Sequence, residues 1–170
     1  MLTGKIKQAL SLLSTPLIVD SMEELGLKGY LLDSEFRPLV PYSKIIGTAI
    51  TVEIEEKKKK EEANLDLLTK AYETPHNILD PIISISVPAS LSKSSIFGSV
   101  ASVRAQMRGF SGALIGGSVR DTQELQKSHF PIFTSSISPG RISGIASAKS
   151  TGDPIEIGGV KINQGNIVFG

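Results

Sequence analysis

The segment from Ile82 to Gly116 constrains the fold more than any other part of the chain. Ile82-Ile83-Ser84-Ile85-Ser86-Val87 is rich in β-branched residues and is ended by Pro88, which is the composition and punctuation of a strand. Val100 to Arg108 then sets Val100, Val103 and Met107 on one face at helical spacing, with Gly109 closing the helix. Gly112-Ala113-Leu114-Ile115-Gly116 follows as a short strand of buried type. Strand, helix and strand in this order have the length of a right-handed βαβ crossover, so the chain is predicted to be α/β, with parallel strands covered by helices.

The flanking sequence fits the same class. Leu2 to Leu13 reads as a first helix, and Thr15 before Pro16 reads as the cap of a second, with Ile18, Met22 and Leu25 at helical spacing and Gly26 ending it. Gly29 to Pro41 is loop-like around its prolines. Ile45 to Glu55 alternates Ile50, Val52 and Ile54 with Thr51 and Glu53, the pattern of a strand with one face in the core. Lys57 to Lys60 is bracketed by glutamates and reads as a solvated turn leading into a helix with Leu65, Leu68 and Tyr72 on its core face, which Pro75 stops. A short helix around Glu124-Leu125 leads to the strand Pro131-Ile132-Phe133-Thr134. Near the end, Ile155-Glu156-Ile157 and Val160-Lys161-Ile162 alternate on either side of Gly158-Gly159, a strong hairpin signal. Ile167-Val168-Phe169 begins one more strand.

Composition limits the function classes. A chain of 170 residues accommodates one core of ordinary size, so residues 1–170 are expected to form a single domain. Lys and Arg (18) nearly balance Asp and Glu (17), which provides no long-range field for direct nucleic-acid binding or an anionic membrane. Phe36, Phe97 and Tyr42 fall in no basic aromatic array that would stack bases. The absence of cysteine excludes thiolate ligands, disulfides and a cysteine nucleophile. The first twenty residues are broken by Ser14, Pro16 and Asp20, unlike a signal peptide or spanning helix, so the expected location is cytoplasmic, with no membrane partner.

Ligand sites in open α/β units lie beyond the carboxyl ends of the strands. Two segments belong there. Phe97-Gly98-Ser99-Val100-Ala101 is a glycine turn opening a helix, whose first N–H groups can hold a carboxylate or phosphate. Gly116-Gly117-Ser118-Val119-Arg120-Asp121 follows the next strand of the same unit. Arg120 offers a planar fork of donors for a carboxylate or enolate, and Asp121 offers a hard oxygen suited to Mg2+ or Mn2+. Together they suit a small 2-keto acid. An Arg-Asp pair after a strand is also an ordinary surface ion pair, and a glycine before a helix is an ordinary turn. Gly-Gly-Ser-Val lacks the Lys and Ser/Thr of a nucleotide phosphate loop. His76 and His129 have no paired ligand spacing, and Ser99 and Ser118 have no base, so neither metalloprotease-type zinc nor serine chemistry is indicated.

Gly109-Phe110-Ser111-Gly112-Ala113-Leu114-Ile115-Gly116-Gly117-Ser118-Val119-Arg120-Asp121 resembles the glycine-rich strand and Val-Arg-Asp signature of the RraA-like family, the regulators of ribonuclease activity and related metal-dependent aldolases. Phe130-Pro131-Ile132-Phe133 follows at the usual distance, Thr15 to Ser21 resembles the family's opening Ser/Thr-x-x-x-Asp helix, and Ile46 to Val52 its glycine strand. The resemblance implies a swivelling β/β/α-type domain forming homotrimers or hexamers with sites between subunits. In the aldolase branch it implies Arg120 as the group holding the pyruvate part and Asp121 as ligand to the divalent metal. It also implies that the amides of Gly98, Ser99, Val100 and Ala101 hold the substrate carboxylate.

Two departures stand out. The aldolase branch carries an acidic residue where this chain has Ser99, which cannot pass a proton as a carboxylate does. Family members also continue beyond the position of Gly170 with a closing segment, so a short C-terminal tail of the family pattern is expected to be missing from these residues. The first expectation is thus a weakly active lyase-like protein taking a small 2-keto acid or dicarboxylate, of the 4-hydroxy-4-methyl-2-oxoglutarate aldolase or oxaloacetate decarboxylase type. The alternative is a non-catalytic regulator of ribonuclease activity that binds a protein partner.

Overall fold

In the computed structural model, which describes residues 1–73 and 77–170, the βαβ unit is present. Strand β3 (Pro81–Ser86) pairs in parallel with β5 (Gly112–Val119), Ile82 opposite Gly112 and Ser86 opposite Gly116. Helix α4 (Ser99–Met107) lies between them in the chain. The other helices are α1 (Gly4–Ser11), α2 (Thr15–Glu24), α3 (Asp66–Ala71) and α5 (Thr122–Lys127). The remaining strands are β1 (Arg37–Pro38), β2 (Ile46–Glu56), β4 (Ser95–Phe97), β6 (Ile132–Ile137), β7 (Ala146–Thr151), β8 (Ile155–Ile157), β9 (Val160–Ile162) and β10 (Ile167–Phe169). The predicted stop at Pro75, and His76, lie outside the described residues.

The main sheet runs β1-β6-β5-β3-β2-β10, with β2, β3, β5 and β6 mutually parallel. The long strand β2 carries two antiparallel partners along its other edge, β10 at Ile46 to Thr48 and β7 at Val52 to Glu56. Strand β4 pairs with the end of β5, beyond the stretch that β3 occupies. On one face Ile50, Ile83, Ile85 and Ile115 form the larger core with residues of α3, α4 and α5, including Leu68, Ala105 and Leu125. On the other, Ala49, Ile82 and Leu114 pack with Ile155, Ile157, Val160 and Ile162 of the β8–β9 hairpin. Hairpin, sheet and helices make the β/β/α layering. The hairpin turns at Gly158 and Gly159 with φ of +52° and +72°. Two successive positive φ angles are what a two-residue primed turn requires and what glycine supplies without strain.

Two local features differ from the sequence reading, and a third is a matter that it left open. Helix α2 begins at Thr15 itself, with Ser14 in the cap position and without a side-chain cap bond, so Thr15 is not the cap. Strands β4 and β7 were not anticipated. Both lack a strong apolar alternation and are defined by the ladder positions that β5 and β2 leave open. The third is the orientation of α4. Ser102 and Ala105 face the sheet and are buried, whereas Val100, Val103 and Met107 are 76%, 54% and 81% exposed. Apolar residues at this spacing ordinarily mark the core face of a helix; here they point outward. Among the described residues, no helix is long and apolar enough to cross a membrane.

Candidate functional site at the β4 and β5 strand ends

The site is assembled by the β4–β5 pairing. Phe97 lies opposite Val119, and the Arg120 N–H donates to the Phe97 carbonyl at 3.0 Å. Two parallel strands therefore end side by side, and each delivers its next two residues, Gly98-Ser99 and Arg120-Asp121, to one rim. Gly98 is the N-cap of α4 and Asp121 the N-cap of α5. The glycine has a spatial reason. A Cβ at position 98 would stand 2.7 Å from Asp121 Oδ2 and 3.0 Å from Arg120 Cγ.

Asp121 adopts a left-handed φ of +54° and does not cap its own helix. Its Oδ2 instead accepts from the backbone N–H of Ser99 at 3.0 Å and from the Ser99 hydroxyl at 2.9 Å. Arg120 Nε stands 3.8 Å from the same oxygen. The carboxyl pKa is lowered from its ordinary value, first by the Ser99 N–H and then by the Ser99 hydroxyl; desolvation opposes them to a smaller extent, and the Arg120 charge adds the least. Because Asp121 takes the Ser99 N–H, the amides of Val100 and Ala101 are those of the first turn left for an anion.

A cavity of about 210 Å³ opens here, lined by Gly98, Val100, Ala101, Arg120 and Asp121. Every site residue predicted from the sequence except Ser99 lines it, and Ser99 is bonded to Asp121 at its edge. Six further residues line it, Leu68, Tyr72, Ser95, Ile96, Phe97 and Arg104, and of these Tyr72 and Arg104 carry polar groups that the sequence reading missed. The Arg104 guanidinium lies 5.9 Å from the centre of the Tyr72 ring, a cation–π arrangement. The Tyr72 hydroxyl is buried without a hydrogen-bond partner among the described residues, and burial raises its pKa above the usual phenol value. No local signal marks Tyr72, because it reaches the site from α3, far from the glycine motifs in sequence.

For a hard divalent cation the donors on this chain are few. Among the described residues Asp121 is the one carboxylate lining the cavity, and its Oδ2 already accepts two hydrogen bonds. Among the described residues no group of three or more His, Cys, Asp or Glu comes together. His129 is exposed at the end of α5, away from any such group.

A β/β/α domain with a Val-Arg-Asp strand end beside a glycine-capped helix defines the class. The chain belongs to the RraA-like family, whose aldolase/RraA model matches residues 15–170. Protein DlpA of Legionella pneumophila is 26% identical over 156 residues, covering 89% of this chain. The chain spans about a quarter (24%) of the length of that curated relative. A solved structure described as a novel cellulase from gut-associated microbes superposes with a TM-score of 0.86 at 24% identity, covering 100% of this chain and 75% of that one. Streptomyces coelicolor RraAS2, described as an unusual member of the RNase ES inhibitor RraA family, superposes with a TM-score of 0.84 at 17% identity, covering 99% of this chain and 82% of that one. At these identities the two structures show a shared fold.

Proposed function

We propose that this chain is a non-catalytic, protein-binding regulator of the kind found among the family's ribonuclease inhibitors. The observation that carries the reading is the double hydrogen bond from Ser99 to Asp121 Oδ2. A serine in place of the aldolase branch's acid turns the rim from a pair of carboxylates competing for a cation into a closed donor–acceptor pair. That arrangement neither moves a proton at neutral pH nor gathers several hard ligands. The shared fold with RraAS2 supports the same reading.

The test is a cleavage assay with a purified endoribonuclease of the E type, an RNA substrate and increasing amounts of this protein. The expected result is inhibition at micromolar protein, with binding to the ribonuclease and none to the RNA alone. Absence of both binding and inhibition, together with metal-dependent turnover of oxaloacetate or 4-hydroxy-4-methyl-2-oxoglutarate that Asp121→Ala abolishes, would overturn it.

The cavity and Arg120 favour a second reading, in which the protein binds a small 2-keto acid or dicarboxylate. The amides of Val100 and Ala101 and the Arg120 guanidinium would hold the carboxylate, and the free oxygen of Asp121 would be the ligand to Mg2+ or Mn2+. Calorimetry with oxalate, a planar mimic of the pyruvate enolate, separates the readings. Heat of binding that requires the metal supports the second. No heat at millimolar oxalate with or without metal removes it.

A further inference from the structure

The smaller core, between the sheet and the β8–β9 hairpin, is not closed. Protein cores ordinarily pack without gaps much larger than a water molecule. Here a cavity of about 530 Å³ opens beside the hairpin, within the roughly 300–1,000 Å³ span of small-molecule sites. Leu114 and Phe133, paired across β5 and β6, form its floor. Val160 and Ile162 of β9 and Val168 and Phe169 of β10 form its sides. Leu114 and its neighbour Ile115 belong to the cores on opposite faces of the sheet. This cavity therefore lies across the sheet from the one at the β4 and β5 ends, and the two share no lining residue.

Residues 30–37 border the cavity and are fixed in place. The Asp33 N–H donates to the Gly158 carbonyl at 3.0 Å, and the Tyr30 hydroxyl donates to the Val19 carbonyl at 3.3 Å. The Phe36 ring lies on the hairpin turn, 2.7 Å from where a Cβ of Gly158 would stand. Aromatic rings are concentrated around the space. Phe36, Phe133 and Phe169, three of the chain's six phenylalanines, line it together with Tyr30, one of its three tyrosines. Rings pack offset or edge-to-face on other rings, so this lining suits a flat aromatic body better than a flexible chain.

Three charged residues line the mouth, Arg37, Lys161 and Asp33, all exposed. None of them forms an ion pair among the described residues. Arg37 Nη1 donates to the carbonyls of Ser34 and Phe36, which holds the guanidinium against its own loop. Its Nε and Nη2, the edge that matches a carboxylate with two parallel bonds, have no acceptor among the described residues. The Asp33 carboxylate lies over the hairpin turn, 3.5 Å from where a Cβ of Gly159 would stand. Two positive charges against one negative leave the mouth with an excess of one positive charge.

We infer that this cavity binds a small aromatic monocarboxylate, its ring system among Phe36, Phe133 and Phe169 and its carboxylate on the Nε and Nη2 edge of Arg37. Lys161 adds positive charge at the mouth. An uncharged ligand would leave that edge unused, a cation would meet the excess positive charge, and a second anionic group would stand against Asp33. The inference goes beyond the regulator reading and depends on neither reading of the strand-end cavity.

The experiment is titration of the full chain with naphthaleneacetate, followed by calorimetry and methyl NMR, with naphthaleneethanol as the uncharged counterpart and decanoate as an aliphatic acid. The expected result is saturable, sub-millimolar binding of naphthaleneacetate that shifts the methyls of Leu114, Ile162 and Val168 and leaves those of Val100 and Ala101 unmoved. The alcohol should bind about tenfold more weakly, the scale of hydrogen bonding to a charged group, and decanoate should also bind more weakly than naphthaleneacetate. Arg37→Gln should bring the acid down to the affinity of the alcohol and leave the alcohol unchanged. Equal weakening of both ligands in that variant would mean that Arg37 only holds its loop, and would reject it as the partner of the carboxylate. Absence of binding at millimolar naphthaleneacetate overturns the inference. So do shifts confined to Val100 and Ala101, which would put the acid in the strand-end cavity. Equal affinity for acid and alcohol, or decanoate bound as tightly as naphthaleneacetate, overturns the assignment to an aromatic carboxylate.

Discussion

Ser99 and Asp121, 22 residues apart in the chain, are joined through one carboxylate oxygen by the backbone N–H and the hydroxyl of the serine, at 3.0 and 2.9 Å. The bond ties the start of α4 to the start of α5 across the ends of β4 and β5. Removing the hydroxyl with Ser99→Ala takes away the second-largest cause of the lowered Asp121 pKa. The Asp121 carboxyl should then titrate at higher pH than in wild type, measured by carboxyl NMR. The folded carboxyl lies below its unfolded value, so its contribution to stability is present above the ordinary carboxylate pKa and is lost as pH falls through the lowered one. In the variant that acid loss should be smaller.

Ser99→Asp should convert the bridge into two facing carboxylates. Without a cation the like charges should lower the melting temperature. With Mg2+ or Mn2+ the variant should be stabilised while wild type is not, read as a metal-dependent shift in a thermal scan. Should the site retain its substrate geometry, oxaloacetate decarboxylation should rise by at least about tenfold, a cautious part of what a positioned acid or base contributes. A folded variant unmoved by metal would show that the carboxylates do not converge.

Gly98→Ala should cost about 1–3 kcal/mol, the usual range for forcing atoms into a filled space. The clash with Asp121 Oδ2 and the Arg120 stem would force the bridge apart. For a domain of this size that is a fall of roughly 2–4 °C in melting temperature per kcal/mol. The Asp121 carboxyl pKa should rise at the same time. An unchanged pKa would mean that the strand ends part without breaking the Ser99 bond.

Tyr72→Phe removes a buried hydroxyl that has no hydrogen-bond partner among the described residues. Loss of an unsatisfied buried group should leave stability at neutral pH unchanged or raise it by up to about 1–3 kcal/mol. The folded phenol pKa is raised, so its linked stability is full below the unfolded value near 10 and declines as pH rises above it, because the unfolded chain then ionises first. Chemical denaturation at pH 7 and pH 11 checks both points. The alkaline loss in wild type should be reduced in Tyr72→Phe.

Lys44→Met should loosen α1 with little effect on the body of the domain. Lys44 Nζ donates to the carbonyls of Ser11 and Leu13 at 2.9 and 2.6 Å, and α1, which has no buried residue, is otherwise tied to the sheet by the Lys7–Asp80 ion pair at 2.6 Å. Amide exchange in residues 4–13 should accelerate by about tenfold or more while β2, β3 and β5 keep their protection.

The sequence determined what depends on local pattern. Period-two alternation placed β2 and the β8–β9 hairpin, the order of strand, helix and strand between Ile82 and Gly116 implied the parallel sheet, and two glycines fixed the turn at Gly158 and Gly159. The Val-Arg-Asp segment also identified the rim, because its residues sit where a strand must end. What tertiary structure decided was everything carried by pairing between distant segments. Ser95-Ile96-Phe97 becomes a strand because the end of β5 has an open edge, and only that pairing brings Ser99 to Asp121. The spacing of Val100, Val103 and Met107 records that the three share a face, but not which way the face turns. Close approach of α4 to the sheet through Ser102 and Ala105 turned it outward, since packing free energy depends on the surface opposite a helix as well as on the helix itself.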